Sequence, residues 1–131
     1  MKKRELLNSE ISYLISKLGH TNTIVIADAG LPIPENVQRI DLALIPGMPS
    51  FLDVLDAVLT EMEVEKVTIA LEMEKQSPEL YKKINEKFKD IEIEKIKHND
   101  LKNETCKAKA VIRTGEFEPF ANIILQSGVV F

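Results

Sequence analysis

Ile11, Leu14, Ile15 and Leu18 fall at the i, i+3, i+4, i+7 spacing that lines apolar side chains along one helix face, with Asn8 and Ser9 as candidate caps. Gly19 suits the left-handed residue that commonly ends a helix. The pattern then changes period. Thr23-Ile24-Val25-Ile26-Ala27 is an apolar run of strand length, closed by Asp28-Ala29-Gly30 and by Pro32 and Pro34. Ile40 to Leu44 reads as a second strand, and Pro46, Gly47 and Pro49 as a loop. Ser50 with Asp53 three residues on resembles a capping box, and the helix it opens is predicted to bury Phe51, Leu55, Val58, Leu59 and Met62.

Val67 to Leu71 is a third strand. Ser77-Pro78 is a helix start, a cap followed by proline at the first helical position, with Leu80, Tyr81, Ile84 and Phe88 as the inner stripe. Ile91 to Ile96 gives a fourth strand, Asp100 to Lys107 a short helix, and Ala110 to Arg113 and Asn122 to Leu125 two more strands. This alternation predicts an α/β fold, a three-layer α/β/α sandwich around a mixed, mostly parallel sheet. No repeat, low-complexity segment or linker interrupts it, so residues 1–131 read as a single domain.

Composition narrows the function classes. With 131 residues and 44% hydrophobic, the chain can bury a real core. Its 17 basic and 21 acidic residues give a net charge of -4, and its lysines are interleaved with Glu and Asp, which argues against a nucleic-acid footprint. Cys106 is the only cysteine, which excludes an intrachain disulfide and a zinc–thiolate cluster within one chain. Met1-Lys2-Lys3-Arg4 looks like a signal-peptide start, but Glu5, Asn8, Ser9 and Glu10 interrupt it, and no apolar run approaches the roughly 20 residues of a membrane span. A soluble, cytoplasmic protein with no membrane partner is the expectation. The segment Ile123 to Phe131 carries no charge and reads either as a core strand or as a subunit interface.

The chain has two histidines, and histidine is the side chain suited to giving and taking protons near neutrality. His20 reads equally as a helix cap or as a proton-transfer group. Asp28, after the strand, either organises the Ala29-Gly30 turn or belongs to a site. In open α/β sheets ligands gather at the carboxyl ends of strands, where Asp28 and His98 fall, with Asn122 near the last strand. The five glycines form neither a G-x-G-x-x-G nor a P-loop. No G-x-S-x-G occurs, and Cys106 lies in a lysine-rich helix with no local histidine. His20, Asp28 and His98 are suitable metal-ligand types but lack the short spacing of a convincing metal site.

Five blocks in order carry a stronger signal. They are Leu7-Asn8-Ser9-Glu10-Ile11-Ser12; Leu18-Gly19-His20; Ile26-Ala27-Asp28-Ala29-Gly30-Leu31-Pro32-Ile33-Pro34; Arg39-Ile40-Asp41-Leu42-Ala43; and Ile112-Arg113-Thr114-Gly115-Glu116 leading to Ala121-Asn122-Ile123-Ile124-Leu125. Along essentially its whole length the chain resembles the ribose-pyranase/fucose-mutarotase family. The Ile-Asp-Leu-Ala block and Ser127-Gly128-Val129 favour the ribose branch.

The resemblance implies interconversion of the pyranose and furanose forms of free D-ribose, supplying furanose to a sugar kinase. It implies His20 as proton donor, with Asp28, His98, Phe120, Ala121 and Asn122 binding the sugar. It also implies a homo-oligomer, a ring of pentamer or decamer type, with sites completed between subunits. Opening and reclosing a hemiacetal breaks and remakes one C–O bond with proton transfer and involves no redox change, phosphate or carbanion, so no cofactor or metal is expected. Where the family has Pro-Tyr-Ala-Asn, this chain has Pro119-Phe120-Ala121-Asn122, keeping the ring but losing the hydroxyl. The alternatives are a fucose-type mutarotase exchanging anomers and a sugar-binding module weakened at Phe120.

Overall fold

The computed structural model describes residues 1–131. Its elements in chain order are α1 (Ser9–Lys17), β1 (Thr23–Ala27), β2 (Gln38–Asp41), α2 (Phe51–Leu59), β3 (Val64–Ala70), α3 (Met73–Gln76), α4 (Pro78–Lys87), β4 (Glu92–Ile96), α5 (His98–Glu104), a 3-10 turn (Thr105–Lys107), β5 (Ala110–Arg113) and β6 (Ile123–Ser127). The strands form one sheet in the order β2-β5-β1-β6-β3-β4. β2, β5 and β1 run parallel, as do β3 and β4, and β6 lies antiparallel between β1 and β3. The predicted mixed, mostly parallel three-layer architecture is the one observed.

Strand alternation divides the core between the two faces. Ile24, Ile26, Ile112, Ile123, Leu125, Val67 and Ile69 pack with Ile11 and Leu14 of α1, Phe51, Leu55 and Val58 of α2, and Leu80 and Ile84 of α4. Val25, Ala27, Val111, Ile124 and Ala70 meet Leu101 of α5, with Leu31 and Val37 from the β1–β2 connection. The second layer is the thinner one.

Local chemistry accounts for the helix starts. Asn8 Oδ1 accepts from Ile11 N at 2.9 Å, and the Ser50–Asp53 capping box is complete in both directions. Ser77 departs from expectation. Its hydroxyl makes no cap bond and instead donates to the Pro119 carbonyl at 2.6 Å, while Pro78 does occupy the first turn of α4.

Other boundaries move for identifiable reasons. β2 occupies 38–41 rather than 40–44, because its pairing with β5 ends at Asp41–Arg113 and Leu44 is exposed in the turn beyond. Gly19 does not take the left-handed conformation. Leu18 leaves α1 extended (φ −67°, ψ 128°), and Thr21 is the left-handed residue at φ 67°. Leu59 and Tyr81 are half-buried at the edges of their stripes. α5 begins at His98 rather than Asp100, and α3 is a short helix that the apolar pattern does not predict. In the charge-free C-terminal segment, Ile123 to Leu125 are core, whereas Val130 and Phe131 are exposed.

Candidate active site

The reversed direction of β6 assembles the site. β6 pairs Ile123 with Ile26 of β1, so the residue before β6 lies beside the residues that follow β1. Asn122 and Asp28 therefore meet although 94 positions separate them. Asp28 N donates to Asn122 Oδ1 at 2.9 Å, and Asn122 Nδ2 donates to Asp28 Oδ2 at 2.8 Å. Asn122 is fully buried. Asp28 Oδ1 also accepts from Gly30 N at 2.9 Å, so the carboxylate organises its turn while it holds Asn122.

The turn is tied down on the other side. Ala29 N donates to Glu116 O at 2.9 Å, Thr114 N and Oγ1 both donate to Ala27 O, and Arg113 Nε donates to Ala29 O at 3.0 Å. Arg113 Nη1 reaches both Asp41 oxygens at 3.1 Å. Gly115 permits this arrangement, since a Cβ there would lie 2.3 Å from the Met48 carbonyl oxygen.

Phe120 adjoins Asn122 through the 120–122 turn and brings His98 beside it. Their rings meet edge to face, 5.0 Å between centroids at 87°. Glu72 fixes the start of α5, its carboxylate accepting from His98 N at 3.0 and 3.2 Å. His98 Nδ1 is buried and has no hydrogen-bond partner. Burial lowers the His98 pKa below its ordinary 6.5, Lys102 adds to the effect, and Glu72 and Asp28 oppose it. The imidazole is therefore neutral at physiological pH.

Phe120 sits in the left-handed region at φ 61°, an uncommon place for a bulky residue and one that tends to mark functional sites. A tight turn about the buried Ala121 follows, closed by Asn122 N donating to Phe120 O at 2.8 Å. The Ser77 hydroxyl on Pro119 O ties this segment to α4.

A cleft of ≈ 390 Å³ opens beside Asp28, walled by Gly30, Arg113, Glu116 and Pro119 among others. A larger cavity of ≈ 570 Å³ lies on the thinner face of the sheet between β4, β6 and α5, and none of the predicted site residues lines it. Its charges are partly paired internally, as with Lys66 and Glu94 at 3.0 Å.

Five of the six predicted residues thus come together: Asp28, His98, Phe120, Ala121 and Asn122. His20 does not join them within the chain. It lies before β1 and Asp28 after it, so the strand alone separates them by roughly 16 Å at about 3.3 Å per residue. His20 is half-exposed, and its Nε2 lies 2.8 Å from Glu65 Oε2. Gln126 Nε2 donates to Glu65 Oε1 at 2.6 Å. These two bonds, Gln126's the larger, lower the Glu65 pKa below its ordinary 4.5. His20 does not cap α1, whose terminal contacts are made by Leu18. No three His, Cys, Asp or Glu side chains converge as metal ligands, so the His20, Asp28, His98 set is not a cluster in one chain.

Sequence reasoning missed Glu72, Lys102 and Glu65. Lys102 was accessible from its i+4 spacing to His98 on one helix. Glu72 and Glu65 act across strands and carried no local signal.

Known proteins share this fold. The model of the RbsD / FucU transport protein family matches residues 1–130. A D-ribose pyranase of Clostridium perfringens (strain SM101 / Type A) is 58% identical over 131 residues, the whole of both chains. A D-ribose pyranase of Bacillus cytotoxicus is 54% identical, also over the whole of both. The structure of Bacillus subtilis RbsD complexed with D-ribose superposes with a TM-score of 0.97 at 50% identity, covering 100% of each chain. The fucose mutarotase of Streptococcus pneumoniae, in complex with L-fucose, shares the fold at a TM-score of 0.80 and 22% identity, over 97% of this chain and 96% of its own. Matched from end to end by the family model and by relatives more than half identical to it, the chain belongs to the RbsD/FucU family.

Proposed function

We propose that this protein interconverts the pyranose and furanose forms of free D-ribose by acid/base ring opening and reclosure. One observation carries the reading: the part-buried Asn122–Asp28 pair lies within electrostatic reach of His98, whose pKa burial holds down and whose Nδ1 has no partner. An unsatisfied buried nitrogen costs about 1–3 kcal/mol, and a sugar hydroxyl is a natural donor to it. Asp28 can accept from vicinal hydroxyls, while Phe120 offers an apolar edge to the sugar and Ala121 shapes the backbone beneath it. The full-length D-ribose pyranase relatives and the D-ribose complex of the Bacillus subtilis protein support ribose as the sugar.

In the reaction, base removes the anomeric O–H proton as the bond from C1 to the ring oxygen breaks and that oxygen takes up a proton, leaving the open aldehyde. Reclosure through the neighbouring hydroxyl repeats the exchange and yields the furanose. One imidazole, His20, serves as acid and then as base.

His20 belongs to the site of a neighbouring subunit in a ring-shaped homo-oligomer of pentamer or decamer type. Its half-exposed position at the opposite end of the sheet from Asp28 supports this, as do the exposed Val130 and Phe131. No helix is long and apolar enough to cross a membrane. The lone, exposed Cys106, with no disulfide partner in the chain, is in keeping with a cytoplasmic setting.

Saturation-transfer NMR on free D-ribose tests the activity, with L-fucose in parallel. The expected result is faster pyranose–furanose exchange of ribose, abolished in His20→Ala. Exchange that survives His20→Ala would remove the acid/base role, and binding without exchange would make the protein a sugar-binding module.

A further inference from the structure

His20 does not stand alone at its end of the sheet. β3 pairs with β6 through a bulge: Val64 lies opposite Ser127 and Lys66 opposite Gln126, leaving Glu65 as the extra residue. Bulges re-aim a side chain, and this one sends the Glu65 carboxylate toward both Gln126 and His20. Gly128 leaves the space it needs, because a Cβ there would come within 3.1 Å of the Glu65 Cβ. On the facing side the turn that carries His20 is held by Thr21 N donating to Ser127 O at 2.9 Å and Ser127 N donating to Asn22 O at 2.8 Å. Thr21 is β-branched and left-handed, so the backbone is strained beside the histidine as well as bulged beneath its partner.

An ionised carboxylate only accepts hydrogen bonds. The His20 nitrogen 2.8 Å from Glu65 Oε2 must therefore carry the proton, which fixes neutral His20 as the Nε2–H tautomer. Nδ1 is left with a lone pair and no hydrogen bond within the chain.

We propose that Glu65, braced by Gln126, is the positioning residue of His20, and that Nδ1 is the atom that exchanges protons with the sugar. This rests on the acid/base role of His20 given above. The arrangement has the logic of a base oriented by a third group. Glu65 touches no substrate, and its effect passes entirely through the imidazole.

The test uses the full chain with D-ribose. Nitrogen-15 NMR of the histidines reports the His20 tautomer, and saturation transfer gives kcat and KM. The wild type should show the Nε2–H tautomer. Glu65→Ala should scramble it and lower kcat roughly ten- to a hundred-fold with KM little changed, because a general acid/base loses part of its advantage when misoriented. Glu65→Gln keeps the shape and an acceptor oxygen and should restore part of that loss. An Nδ1–H tautomer in the wild type, an unchanged kcat in Glu65→Ala, or a fall in kcat with the tautomer unmoved would each overturn the proposal. His20→Ala separates the two levels. If it retains full exchange, the acid/base reading fails and this inference with it; if it abolishes exchange while Glu65→Ala does not, only this inference fails.

Discussion

Asn122 and Asp28 hold each other twice, amide to carboxylate and peptide N–H to amide oxygen, across two strands that run in opposite directions. Asn122→Ala removes both bonds and leaves the Asp28 N–H unpaired at a part-buried position, a loss of about 1–3 kcal/mol. Asn122→Asp adds a second carboxylate within hydrogen-bond distance of the first. Two such groups cannot both ionise cheaply, so the folded variant retains a proton that the unfolded chain releases. Its stability should therefore fall, relative to the wild type, as pH rises above about 4. Urea unfolding of both variants at pH 5 and pH 7 measures this, and ribose affinity should fall in each.

His98 gives a second dependence of opposite sign. Its pKa is lowered by burial first and by Lys102 second, so between the folded value and 6.5 the unfolded chain binds the extra proton. Stability contributed by neutral His98 is complete above 6.5 and is lost as pH falls through the folded pKa. Ribose affinity senses only the folded-state proton, so it should stay flat from pH 8 to below 6.5 and weaken only as pH falls through the lowered folded pKa. An NMR titration of the His98 ring with a midpoint under 6.5, and a flatter affinity profile in His98→Asn, are the expected outcomes. A midpoint above 6.5 would contradict the neutral-acceptor role.

Phe120→Tyr restores the hydroxyl that the family resemblance leads one to expect. One neutral hydrogen bond is worth about 0.5–1.5 kcal/mol, so kcat/KM for ribose should rise up to roughly ten-fold. A gain of about a hundred-fold or more would instead mean that the hydroxyl stabilises developing charge. The backbone should not change, because the left-handed conformation at 120 is imposed by the turn about Ala121 and by Ser77 on Pro119 rather than by the ring. Ribose kinetics together with an unchanged unfolding midpoint would bear this out.

Much of this site was legible before the fold. Asp28 and His98 announced themselves by following strands, since a parallel sheet gathers its strand ends at one edge. Asn122 was legible only as a residue near a strand. Its partnership with Asp28 depends on β6 running backwards, which no local pattern encodes. The bulge at Glu65 was invisible for a related reason, because a bulge exists only relative to a partner strand. β2 starts and ends earlier than its apolar run because Leu42 packs against the core and Leu44 is exposed from beyond the strand, and hydropathy cannot distinguish a strand from an apolar turn. The separation of His20 from Asp28 was implicit throughout: two residues flanking an extended strand cannot share one pocket in the same chain.

That separation gives the last prediction. If each site takes Asp28 from one subunit and His20 from the next, His20→Ala and Asp28→Ala are each inactive for different reasons. Mixing them after dissociation and reassembly should restore activity, since an interface is complete wherever an intact Asp28 meets an intact His20. For random mixing of equal amounts around a head-to-tail ring, about one interface in four satisfies this, so exchange should recover to roughly a quarter of the wild-type rate. Saturation transfer on the mixture measures it, with the unmixed variants as controls. A mixture as inactive as its parents would mean that subunits do not share sites, and the acid/base role would then need a proton-transfer group at the Asp28 end of the same chain, where neutral His98 is the residue present.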